Sequence, residues 1–317
     1  MTEPPQLRAA TPPGNRRSWI YLKLVLMTFL WGGTFVAGRT IAQQMPLMIA
    51  AAARFAIAVP LLILIAWRME GGLPRLSRQQ MVATFFLGLT GIFIYNFCFF
   101  VALSHMPAGR TALFVALNPV VTALILALLF RERLSWVGWL GIVVAFIGVA
   151  VVIARGDLAG AMRDLSSAFG VGEALMLLGI TSWAAYTIIG RFSLRGMTPI
   201  AATTYAAAWG LVQLSIAAAW EWPGFDPSVL DFKVVAAIAY LGIFGTAIGF
   251  IWYYQGVKEI GPARTAVFNN LVPVFGVLLA ALLLSEPILI SMIVGGGLVI
   301  AGVTLTNLQP VIPRKGP

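Results

Sequence analysis

The sequence predicts an all-α integral membrane protein of ten transmembrane helices, arranged as two inverted five-helix repeats. Three observations carry that expectation. Of 317 residues, 60% are hydrophobic and only 10% charged, whereas a soluble domain has about a quarter of its residues charged. Apolar runs of membrane-spanning length follow one another along the chain, and a stretch of the first half returns in the second.

A 30 Å hydrocarbon core takes about 20 helical residues. Runs of that length, bounded by charges, Pro or Gly, lie near residues 19–41, 47–67, 81–103, 109–130, 135–154, 170–190, 200–220, 234–256, 263–284 and 288–307. Residues 1–17 are rich in Pro and Arg and read as a disordered cytoplasmic leader. The run that follows is too long for a signal-peptide core, so it is read as a first span in preference to a peptide cleaved near Gly38. The remaining divisions are a first repeat over 18–155, a connecting loop over 156–169, a second repeat over 170–308 and a cytoplasmic tail over 309–317.

The formal charge is +10, but the basic residues are scattered singly among apolar runs, which speaks against a nucleic-acid surface. With both termini in the cytoplasm, fifteen of the 21 Lys and Arg fall inside and five (Arg39, Arg110, Arg155, Arg163 and Lys233) outside, while Arg54 lies within a span. That bias follows the positive-inside rule and requires an even number of spans, so the expected location is the inner membrane, multi-pass. The one cysteine, Cys98, excludes an intrachain disulfide and a cysteine-based metal site.

A shift of 154 positions carries Arg110, Thr111, Ala112, Phe114, Leu117, Pro119 and Val120 onto Arg264, Thr265, Ala266, Phe268, Leu271, Pro273 and Val274, and Glu132 onto Glu286. From 110 to 132 there are 12 identities in 23 ungapped positions, far beyond what shared apolar composition supplies. A shift of 152 places Trp31, Gly38 and Arg39 on Trp183, Gly190 and Arg191. Five spans per repeat is an odd number, so the second repeat enters the membrane from the opposite side, as in many secondary transporters.

The WGGTF segment at 31–35, RF at 54–55, PAGRTALFVALNPVV at 107–121 with RER at 131–133, and GPARTAVFNNLVPVF at 261–275 with SEP at 285–287 resemble the drug/metabolite transporter superfamily in its tandem EamA-type form. The resemblance covers nearly the whole membrane region. It implies export of small metabolites, and similarity to YddG-type exporters implies aromatic and other neutral amino acids as substrates. These motifs describe helix packing more than substrate.

The candidate substrate-binding residues are Trp31, Tyr95, Asn96, Phe99, Asn118, Trp183, Tyr186, Tyr253, Asn269 and Asn270. Trp31 and Trp183 occupy repeat-related positions near mid-membrane, where an indole N–H lacks the hydration of the interfacial belt. A wet central cavity resolves that conflict; helix packing with the indole bonded to a neighbour is the alternative. Amides within spans must find partners in protein, water or solute, so each Asn is either cavity lining or interhelical glue. Tyr95 and Phe99 flank Asn96, and Tyr186 lies one turn from Trp183, giving aromatic surface beside the amides. Pro119 and Pro273 free the carbonyls of Val115 and Asn269, so the fourth and ninth spans are expected to kink. Arg54, about eight residues into its span, needs carbonyl or carboxylate partners. A substrate carboxylate is one such partner, and recurrence of RF in a family with varied substrates favours a structural role. Glu132 and Glu286 end their helices in both repeats, and the single His105 ends another, all read as architecture.

No catalytic residue, metal site or cofactor is expected. A serine protease dyad would rest on His105 alone, HExxH and GxxxxGK[ST] are absent, and one histidine cannot bis-ligate a haem. The span interiors hold no deep Asp or Glu, Glu173 near the start of the sixth being the closest, so a carboxylate proton relay lacks its residue type. The partners implied are a small-molecule substrate and membrane lipid, with the oligomeric state left open. Alternatives to amino-acid export are export of another metabolite or drug-like solute, or a receptor or scaffold without flux.

Overall fold

The computed structural model describes residues 14–132, 134–155, 157, 169–193 and 196–307, all helix and connecting turn. The leader before Gly14, the connecting loop except Asp157 and Phe169, and the tail beyond residue 307 lie outside the described residues. The spans are α1 Gly14–Ala42, α2 Leu47–Glu70, α3 Arg78–His105, α4 Ala108–Leu129, α5 Trp136–Ile153, α6 Val171–Ser193, α7 Pro199–Glu221, α8 Phe232–Ile260, α9 Arg264–Leu284 and α10 Ile290–Asn307. The first helix starts inside the stretch read as leader. Among the described residues nine helices are long and apolar enough to cross a membrane, and α10 is a shorter apolar helix that matches its repeat partner α5 at 18 residues.

Local chemistry sets the ends. Ser77 and Gln80 form a reciprocal capping box at α3, and Ser135, Thr198 and Asp231 accept from Gly138, Ala201 and Val234 N–H at the starts of α5, α7 and α8. Loss of one such cap costs about 1 kcal/mol. Ser135→Ala is therefore expected to lower the melting temperature in detergent by a few degrees, and an unchanged melt would assign the start of α5 to packing alone. The C-terminal ends of α4 and α9 are alike: Arg131 (φ 53°) and Ser285 (φ 55°) turn left-handed, and the next N–H, of Glu132 or Glu286, bonds back to Leu126 or Ala280 O.

The repeat extends to the irregularities. A π-helical segment interrupts α3 at Gly88–Ile94 and α8 at Ile243–Ile248. The helix of α4 breaks at Ala116–Leu117, and that of α9 passes through a 3-10 turn at Asn269–Leu271, each just ahead of its proline. Both interruptions fall where the missing proline N–H predicts a kink; the π segments had no such signal.

Glycines set how the halves meet. A Cβ on Gly148 would lie 2.6 Å from Gly295 O, and one on Gly141 2.6 Å from Gly302 O. Gly295 and Gly302 are the repeat counterparts of Gly141 and Gly148, so α5 and α10 cross antiparallel in a self-complementary, two-fold contact. The same exchange recurs in the centre. Gly88 of α3 packs on Trp209 and Ala206 O of α7, while Gly242 of α8 packs on Ile57 and Arg54 O of α2. Each half thus presses its third span against the second span of the other, and the largest buried cluster, with Phe35, Phe55, Phe99, Phe100, Leu214 and Leu241, draws on both repeats.

Candidate functional site

Two chains of aromatic rings run through the interior. One passes from Phe35 to Phe99 (centroids 5.5 Å apart), Tyr95 (6.2 Å), Trp183 (5.0 Å) and Tyr186 (5.1 Å). The other links Trp31 to Phe250 and Tyr253 (both 5.9 Å) and Tyr253 to Tyr254 (5.6 Å). The chains approach each other at Thr203 of α7, whose hydroxyl is hydrogen-bonded to the Tyr254 hydroxyl. A cavity of about 240 Å³ opens there, lined by Tyr186, Gly190, Met197, Thr198, Thr203 and Tyr254, and reaches the membrane face that carries the α6–α7 turn. Tyr95, Tyr186 and Tyr254 are enclosed by protein yet keep accessible surface, which marks internal space beside them.

The sequence-derived candidates divide. Trp31, Tyr95, Phe99, Trp183, Tyr186 and Tyr253 all join the aromatic chains. The Trp31 indole donates to Gly245 O at 3.0 Å, inside the π segment of α8, so this mid-membrane N–H is satisfied by the protein. Asn96 is 2% exposed and its amide is fully engaged, donating to Ile92 O at 2.7 Å and accepting from Arg54 at 3.1 Å. Asn118 and Asn269 sit at the two helix breaks, and each holds a buried side-chain oxygen without a protein hydrogen bond. Asn270 is partly exposed in the same 3-10 turn.

The opposite face is shut. Arg110 at the start of α4 and Glu173 at the start of α6 form an ion pair at 2.8 Å, with side chains 4% and 6% exposed, and Arg110 also donates to Ile153 O at the end of α5. The Glu286 carboxylate accepts from the N–H groups of Ala108 and Gly109, where the α4 helix dipole favours negative charge. On the cavity side, Arg264, the repeat counterpart of Arg110, is exposed, and Glu132, the counterpart of Glu286, pairs with Arg191 at 3.0 Å. Sequence reasoning placed Arg110, Glu173, Glu132 and Glu286 at helix ends but not in these pairings. Thr203, Thr246 and Tyr254 were not singled out for the site, because a hydroxyl in a span ordinarily bonds its own helix.

The EamA-like transporter family matches residues 18–154 and 170–308, one copy on each repeat. The uncharacterized transporter YyaM of Bacillus subtilis is 32% identical over 296 residues, covering 93% of this chain and 95% of that protein. A probable terminal-alkyne amino-acid exporter of Streptantibioticus cattleyicolor is 29% identical over 292 residues, covering 92% and 94%, and the uncharacterized inner membrane transporter YedA of Escherichia coli is 28% identical over 295 residues, covering 92% of each. A solved crystal structure covering 92% of this chain and 97% of its own shares the fold at TM-score 0.63 and 21% identity. With both repeats matched and the helices paired across them, the chain belongs to the EamA-like transporter family of the drug/metabolite transporter superfamily.

Proposed function

We propose that the chain exports small neutral metabolites, foremost amino acids with aromatic or other neutral side chains, by alternating access through the central cavity and without ATP hydrolysis. The observation that carries this reading is an internal space walled by repeat-related aromatic rings and hydroxyls, closed at the Arg110–Glu173 end and open at the other. Aromatic faces and uncharged hydrogen-bonding groups suit an uncharged or zwitterionic solute. An inverted-repeat scaffold supports exchange between two openings of similar energy. The similarity to an amino-acid exporter supports the substrate class. The ten candidate residues are assigned to the transport path, with Asn118 and Asn269 offering their unpaired oxygens to solute or water. By the charge bias both termini lie in the cytoplasm, which turns the cavity toward the cytoplasm and the ion pair outward.

Purified protein in liposomes is expected to exchange radiolabelled phenylalanine without nucleotide, and strict dependence on ATP would overturn the proposal. Trp183→Phe and Asn118→Ala are expected to raise the KM for phenylalanine exchange several-fold while the protein stays folded. Unchanged KM with a lowered melting temperature would make both residues packing elements.

A further inference from the structure

The Arg54 guanidinium stands deep in the bundle with neutral partners alone. Its Nε and Nη2 donate to the Thr246 hydroxyl at 3.3 and 3.2 Å, and its Nη1 donates to Asn96 Oδ1 at 3.1 Å. Thr246 lies in the π segment of α8, and Asn96 follows the π segment of α3 and bonds back into it at Ile92 O, so Arg54 joins the two repeat-related defects. Among the described residues no carboxylate lies within ion-pair distance of Arg54, and its one titratable electrostatic neighbour is the Tyr95 phenol. The Phe55 ring, 5.3 Å from the guanidinium carbon, adds a cation–π contact.

A cation held in so dry a place by neutral groups lacks the counter-charge that normally accompanies burial. A guanidinium has five N–H donors, and the three protein hydrogen bonds leave one donor on each terminal nitrogen. Two such donors are what a carboxylate engages in a bidentate pair. The side chain also keeps accessible surface while enclosed by protein, so internal space adjoins it. The charge is unique to one half. The packing that Gly242 makes with Arg54 O is made in the other half by Gly88 with Ala206 O, so the position equivalent to Arg54 is an alanine. A residue serving only the helix crossing has no need of a charge that its counterpart lacks.

We propose that Arg54 is the anchor for the carboxylate of the transported solute, which makes the substrates small monocarboxylates or zwitterions with the Tyr95 and Trp183 rings beside the remainder of the molecule. This rests on the reading that solute passes through the centre. The π segments then have a role: each removes a side chain or backbone group from helical register so that Asn96 and Thr246 orient the guanidinium from opposite repeats.

Binding to detergent-purified protein, followed by intrinsic tryptophan fluorescence, uses three probes of like size: phenylalanine, 3-phenylpropionate and phenethylamine. Wild type is expected to bind the two carboxylates and to bind phenethylamine weakly. Arg54→Gln should weaken the carboxylates about 10- to 100-fold, the range for loss of charge-assisted hydrogen bonds, and leave phenethylamine unchanged. Arg54→Lys should recover part of the loss. Asn96→Asp serves as a second variant that keeps the arginine: it places a carboxylate within reach of Arg54, and the folded protein should lose affinity for both acids. Carboxylate binding within two-fold of wild type in folded Arg54→Gln or Asn96→Asp overturns the anchor. Liposome flux of phenethylamine without flux of either acid also overturns it while leaving transport standing. If wild type binds and moves none of the three, the substrate class falls with the anchor.

Discussion

Glu173→Ala is expected to lower the stability of the folded protein by about 3–5 kcal/mol, because it strands the Arg110 charge in a site from which water is excluded. The Arg110–Glu173 pair is almost wholly buried, and the one further bond printed by the geometry, to Ile153 O, supplies no negative charge. Thermal unfolding in detergent micelles measures the effect. Removing both charges together, as Arg110→Met with Glu173→Leu, should restore most of the loss, since two well-packed apolar side chains need no desolvation of ions. If the double variant is as unstable as the single one, the helix ends depend on Arg110 for something other than its charge.

The second large effect is steric. Gly148→Leu places a branched side chain where even a Cβ would sit 2.6 Å from Gly295 O and 2.7 Å from Val299 N. These are backbone atoms of α10 and cannot swing aside, so α5 and α10 must separate. Overpacking of this kind costs about 1–3 kcal/mol and occasionally more. Gly302→Leu, at the two-fold-related point of the same crossing, should behave alike, because a Cβ there meets Ala145 N and Gly141 O at 2.5 Å. A mild effect at one position and a severe one at the other, read from the two melting temperatures, would contradict a self-complementary contact.

Span positions were legible because lipid imposes a length and a polarity on every helix, and charges, Pro and Gly punctuate the gaps. Pro119 and Pro273 disclosed the breaks in α4 and α9 through a missing N–H, a property that any proline carries into any helix. The π segments left no comparable trace: Gly88 and Gly242 were visible as repeated glycines, but only their contact with the opposing α7 and α2 backbones gives the reason for them. Trp31 and Trp183 were legible as interior because an indole at mid-membrane needs a partner. Which partner was not legible, since Gly245 O becomes available only once α1 lies against α8. Asn96 illustrates the same limit. Its polarity required burial in protein, but its commitment to Arg54 and Ile92 depends on α2 and α3 meeting at one depth.

Arg110 and Arg264 are the same residue in the same motif, yet one is buried against a carboxylate and the other is exposed. The residue that matches Glu173 across the 152-position shift is Tyr21, which stacks on Phe268 at 5.9 Å. A conformer closed at the Arg264 end would therefore be sealed there by rings and no ion pair. The two ends of the pathway are interchangeable as backbone but not as latches, so the empty carrier should rest with the Arg110 end shut, each 1.4 kcal/mol of difference shifting the resting population tenfold. Spin labels across each end are expected to report a short distance near Arg110 and a broad, longer one near Arg264. Charge-neutral Arg110→Met with Glu173→Leu should bring the two distributions toward each other, converting a biased rocker into a balanced one; distributions that stay put would locate the bias elsewhere in the fold.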